Sequence, residues 1–194
     1  MPFSQKTTRR IRRHIITLDQ LTRTNIQVTC ELERLDFWSE DLDEVVVWLV
    51  PVSTCYYGWH SGTPGSISIP SISLAQLGDF FSGRYLRLTD ILRHEWAHAL
   101  ADVHPGFVEC RAFVRCFGGE YEDPEGPEEY DRELHTSKYA ATMPAEDFAE
   151  TFHFYIRHKG RLPVRLAGRP AIVRKWNFIE RIARAMGLGR TGFR

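Results

Sequence analysis

The 194 residues suffice for one domain that buries roughly two-thirds of the surface its unfolded chain would expose. Hydrophobic residues make up 43% and charged residues 26%, globular values that exclude disorder as a description of the whole. Lysine plus arginine number 25 and aspartate plus glutamate 25, so the net charge is zero, which removes any global electrostatic argument for nucleic acid.

The zero conceals a gradient. Lys6, Arg9, Arg10, Arg12 and Arg13 precede the first acid, Asp19; the middle is acidic from Glu120 to Glu133; Glu180 is the only acid between Arg157 and Arg194. Both basic ends are read as solvated surface with intramolecular pairing. Arg12, Arg13, His14 and Asp19 interrupt the apolar positions near the N-terminus, so no secretory core is expected, and no run approaches the ~18 apolar residues of a membrane helix. Cys30, Cys55, Cys110 and Cys116 are too few for a disulfide scaffold in a chain this long and are read as reduced thiols of a cytoplasmic protein. The five residues between Cys110 and Cys116 exceed the usual zinc spacing, so burial is the better reading for both.

In chain order, Ile11, Ile15, Ile16, Leu18 and Leu21 recur at helical spacing and predict an amphipathic helix over 5–24, within a basic N-terminal helical segment, 1–30. The β-branched run from Asp43 to Val52 reads as a buried strand. Gly65 to Leu74 alternates serine with isoleucine, the pattern of a half-buried strand; Pro70 lacks an N–H and so requires an edge or a bulge. Thr89 or Asp90 is a cap signal for a helix through ILRHEWAHALADV, ending near Val103 because His104 precedes Pro105. Residues 118–131, rich in Gly, Pro and acids, read as an exposed loop. Helices are predicted from Ala145 to Ile156, entered after Pro144, and from Pro170 to Met186, stopping at Gly187 within a basic C-terminal helical extension, 159–194. Strands precede helices with little alternation, which points to a single α+β domain over 1–194.

The chemistry lies in the helix containing His94-Glu95-Trp96-Ala97-His98. Residues four apart share a helix face, so His94 and His98 can turn both imidazoles to one ion. Two nitrogens and a third protein ligand suit zinc and leave a fourth position for water. The ion lowers the pKa of that water toward ~7, and Glu95 is placed to take its proton as it attacks a carbonyl. Without an ion, the same stretch would be a helix whose histidines pack and hydrogen-bond.

Two residues can complete the set. His104 fits the H-E-x-x-H-x-x-G-x-x-H spacing except that Ala101 stands for the glycine, and in a continued helix it would lie some 15 Å along the axis from His94. Glu146 is the other, with Glu150 one turn on to accept a hydrogen bond from the far ring nitrogen of a ligating histidine. An ion would account for two acids on a helix whose Phe148, Phe152 and Tyr155 face the core.

HEWAH followed some fifty residues later by EDFAETF resembles the gluzincin branch of the zincin metallopeptidases, and is similar to bacterial zinc-binding metallopeptidases and the catalytic domain of anthrax lethal factor. The resemblance covers about residues 88–158. It implies His94, His98 and Glu146 as ligands of one Zn2+ per chain, Glu95 as general base and Glu150 behind the ligands. It also implies that Tyr139, seven residues before Glu146, stabilises the oxyanion, and that the Gly65–Leu74 strand is a sheet edge pairing with extended substrate. Ala97 stands where the family has glycine, a departure that bears on subfamily and not on the ligands.

The expectation is therefore a zinc metallopeptidase, an endopeptidase acting on peptide or protein, with a small mixed sheet, an HExxH helix and a second helix carrying the glutamate ligand. Neither membrane nor nucleic acid is expected as a partner. The alternatives are an inactive zincin-like regulatory or binding module, a metzincin-like site using His104, and a metal-free α+β scaffold. His153 is read as packed or at the surface more readily than lining the cleft, and His60 as structural.

Overall fold

The computed structural model describes residues 15–53, 58–73, 87–124 and 129–193. The predicted N-terminal basic cluster, Cys55 and Leu74 lie outside them. Among the described residues there are seven α-helices and one three-stranded mixed sheet, a small α+β domain. No helix among them is long and apolar enough to cross a membrane.

Helix α1 spans Leu18–Glu33. Residues 5–14 of the predicted helix lie outside the described residues; residues 15–17 are not helical, and the reciprocal capping box of Thr17 and Gln20 fixes the first turn at Leu18. Ile15 and Ile16 precede the helix, and Ile16 instead hydrogen-bonds Ser71 through its backbone. Leu21, Val28 and Leu32 bury the inner stripe. The short helix α2, Glu40–Asp43, takes Asp43 of the predicted first strand and ends on Glu44, so β1 runs over Val46–Ser53, and as an edge strand it is only partly covered rather than buried as expected.

Strand β2 is Gly58–His60 and β3 is Ser66–Ser73. The order is β1-β3-β2, with β1 parallel and β2 antiparallel to β3. The expectation of an edge for Gly65–Leu74 is therefore corrected: the serine–isoleucine strand is the middle one, with Ile67 and Ile69 fully buried. Pro70 is accommodated because β2 ends opposite Ser68, leaving no strand opposite the proline on that flank among the described residues. The two edges among the described residues are β1 and β2.

Helix α3, Leu88–Val103, carries HEWAH and stops before Pro105, as predicted. Its N-cap is Arg87, without a side-chain bond, so Thr89 and Asp90 fall inside the first turn. A 3-10 turn at Pro105–Phe107 leads to α4, Arg111–Phe117, closed by Gly118 at φ 88°, a left-handed conformation that glycine adopts without strain. Helix α5, Pro144–Arg157, packs on α3; α6 is Val164–Ala167, and α7 has the predicted bounds, Pro170–Met186.

Phe148, Phe152, Tyr155 and Ile156 recur at i, i+4, i+7 and i+8 and bury one stripe of α5. Phe152 meets Phe37 edge-on at 4.8 Å and Phe148 at 6.0 Å between ring centroids. Ile172, Trp176, Phe178, Ile179 and Ile182 of α7 are buried in the same core, and Phe193 packs on Phe107 and Phe178. The C-terminal segment is thus part of the core, not an extension from it. Phe152→Ala is expected to cost about 3–5 kcal/mol, measured as a lowered denaturant midpoint at unchanged slope.

Candidate metal centre

Helical spacing puts His94 and His98 one turn apart on α3, and the packing of α5 across α3 brings Glu146 to meet them. His94 Nε2 lies 3.1 Å from His98 Nε2 and 3.0 Å from Glu146 Oε2; His98 Nε2 lies 3.6 Å from the same oxygen. Ligand atoms about 2.0–2.1 Å from a tetrahedral ion stand roughly 3.3 Å apart, so this triangle has the size a metal needs. Among the described residues, His94, His98 and Glu146 form the group that could hold a metal ion.

Hydrogen bonding says why a cation belongs there. His94 Nδ1 is 3.0 Å from Glu150 Oε1, and an ionised carboxylate only accepts, so Nδ1–H points to Glu150; in the neutral ring that binds a metal, Nε2 then keeps its lone pair. His98 Nδ1 is 2.8 Å from the Tyr121 hydroxyl. When Nδ1–H donates to that oxygen, His98 Nε2 is likewise a lone pair. Glu146 Oε2 is buried and receives no properly directed hydrogen bond. Three electron-rich atoms then face one another, an arrangement stable only around a positive charge.

The site's protons respond accordingly. Burial disfavours the His94 imidazolium, yet the carboxylates of Glu146 and Glu150 outweigh it and hold its pKa up at about 10. Burial likewise pushes Glu146 up, but the two imidazoles prevail and bring it down to about 2. A divalent ion supplies the same positive charge and displaces the proton.

Glu95 does not join the triangle. Its carboxyl is 3% exposed and pushed up chiefly by burial, with the charge of Glu146 adding to the effect; the imidazoles of His94 and His98 and a backbone hydrogen bond from Trp59 in β2 act against it. Tyr139 stands half-exposed with its ring 5.7 Å from that of His94. Burial and then the neighbouring Glu146 carboxylate raise its phenol, keeping it a protonated donor.

His104 is not brought to the group. Its Nε2 lies 2.7 Å from Ser39 Oγ, with the ring buried beside Phe107, so the predicted metzincin-like alternative has no geometric support. His60 is exposed on β2. His153 is buried behind Glu150 and does not reach the ligand triangle. Cys30, Cys110 and Cys116 are free thiols.

Sequence reasoning does not reach two features. Tyr121 comes from the stretch predicted to be an exposed loop, but it turns inward against His98, Phe113 and Phe148. An aromatic residue amid acids was the available signal. Asp147, grouped in sequence with its exposed-looking acidic neighbours, is 1% exposed and paired with the buried Lys175 of α7, with His135 3.3 Å away. This pair ties the first turn of α5, next to Glu146, to the C-terminal helix. Tyr121→Phe is expected to weaken metal binding about tenfold, the low end for a residue behind a ligand, as read by chelator competition.

Comparison with known proteins finds no family model, no curated protein and no solved structure that matches the chain.

Proposed function

We propose that the chain is a zinc-dependent metallopeptidase of gluzincin type, holding one Zn2+ through His94, His98 and Glu146. The observation that carries the reading is the convergence of two imidazole nitrogens and one carboxylate oxygen in a triangle of metal-binding size, beside a buried carboxyl. Two imidazoles and one carboxylate suit catalytic zinc, which leaves a coordination position open. Bound there, the ion supplies a Lewis acid that polarises a carbonyl and brings the pKa of water toward about 7.

The chain's own residues do the remainder. Glu95, with its pKa moved upward by burial, takes the proton of the attacking water and returns it to the leaving amine. The Tyr139 hydroxyl donates a hydrogen bond to the developing oxyanion. Glu150 fixes the His94 tautomer.

Strand β2 supports a peptide as substrate. Its outer edge carries no partner strand among the described residues and lies against Glu95 through the Trp59 N–H, so an extended chain added at that edge would run beside the general base. A cavity of about 480 Å3 shares Tyr121 with His98 and is lined by both apolar and charged side chains, among them Val108, Val114, Asp102, Glu109 and Arg111. That is room for a large side chain.

The test is elemental analysis of the purified chain together with cleavage of a peptide library. One zinc per chain and cleavage stopped by a chelator and restored by zinc is the expected result. A chain without metal, or with metal but no hydrolysis of any peptide, overturns the assignment.

A further inference from the structure

Behind the ligands runs a line of alternating charge. Glu150 faces His94, His153 faces Glu150, Asp90 faces His153, and Arg93 bridges Asp90 to Glu31 of α1. His153 is the least explained member. It is 8% exposed, and each ring nitrogen lies 3.6 Å from a carboxylate oxygen, Nδ1 from Glu150 Oε1 and Nε2 from Asp90 Oδ1. Those distances are too long for hydrogen bonds but short enough for ion pairing in a buried setting, and neither nitrogen has a hydrogen-bond partner.

The two carboxylates depend on His153 unequally. Asp90 is also held by Arg93 at 2.7 Å and by Arg157 at 3.4 Å, so it stays fixed without the histidine. Glu150 has His94 as its only other ionic partner among the described residues. Loss of the imidazole at 153 would therefore fall on Glu150, leaving a buried carboxylate free to turn away from His94 Nδ1.

We propose that His153 is a positioning residue of the metal centre: anchored by Asp90, it holds the Glu150 carboxylate against His94 Nδ1 and so keeps His94 Nε2 aimed at the ion. The inference rests on the metal-centre reading and extends it one residue farther from the ion. Burial lowers the His153 pKa, but Asp90 and Glu150 outweigh it and raise the value, favouring the doubly protonated ring that can face two acceptors.

The experiment is a double-mutant cycle on the full chain, measuring zinc affinity by chelator competition for the parent, His153→Leu, Glu150→Gln and the double variant. Circular dichroism of each apo protein checks the fold. His153→Leu is expected to weaken zinc about tenfold, and to change affinity by no more than roughly twofold once Glu150 is Gln. The cobalt-substituted parent and His153→Leu should also differ in visible spectrum, reflecting a displaced imidazole.

Equal affinity of His153→Leu and parent, or the same loss in both backgrounds, overturns the proposal while leaving the ligand assignment standing. A parent that takes up no zinc overturns both. Should His153→Leu fail to fold, His153→Gln replaces it in the same cycle, with a smaller loss expected that again vanishes when Glu150 is Gln.

Discussion

Glu146→Ala is expected to yield a folded protein that purifies without its ion. Glu146 Oε2 is the one atom of α5 in the ligand triangle, 3.0 Å and 3.6 Å from the two imidazole nitrogens. Its loss removes a third of the protein ligands and the only negative charge among them. Residues behind ligands typically cost 10–100-fold in affinity, so loss of a ligand should exceed about a hundredfold. The fold should survive, because that oxygen accepts no hydrogen bond and α5 is held by its phenylalanine stripe. Zinc content by elemental analysis and the apo thermal midpoint read the two halves of the expectation. Full zinc occupancy in this variant would place the third ligand elsewhere.

Glu95→Gln should do the reverse, keeping the ion and losing the chemistry. The amide has the carboxylate's shape and can still accept the Trp59 N–H, so β2 stays docked on α3. It cannot take a proton. General-base catalysis is worth about 10²–10⁴-fold, and kcat should fall by that amount with KM little changed, measured on any peptide the parent cleaves. Parent-like turnover with zinc still bound would give the base role to another group.

The site was legible where its geometry is local. His94 and His98 share a helix face by spacing alone, as do Glu146 and Glu150, and one tertiary contact between α3 and α5 completes the group. Tyr121 was not legible, because its partner His98 lies 23 residues away and its neighbours in sequence are acids typical of a surface loop. Asp147 and Lys175 were hidden for a similar reason, since a charged residue becomes a core residue only when its counter-ion arrives from another helix.

Strand order was the plainest difference. Alternation in Ser66–Ser73 shows a pleat and a buried face, yet carries no information on which strands lie beside it. β2, at three residues, is too short to register as a pattern, and it takes the edge opposite β1, which leaves the serine–isoleucine strand in the middle. The Thr17–Gln20 box was also present in the sequence, but the isoleucine spacing upstream of it suggested an earlier start.

The two-pronged clasp of Arg93 on Glu31, at 2.8 and 3.0 Å, has a bearing on how short the molecule can be made. Arg93 is 8% exposed and adjoins His94 in the chain. A version trimmed past Glu33 would leave that guanidinium with Asp90 alone and uncover it, loosening the charge line that runs from Asp90 through His153 to Glu150 behind the ligands. The first helix is thus a counterweight to the centre, and a minimal version of the protein has to keep it.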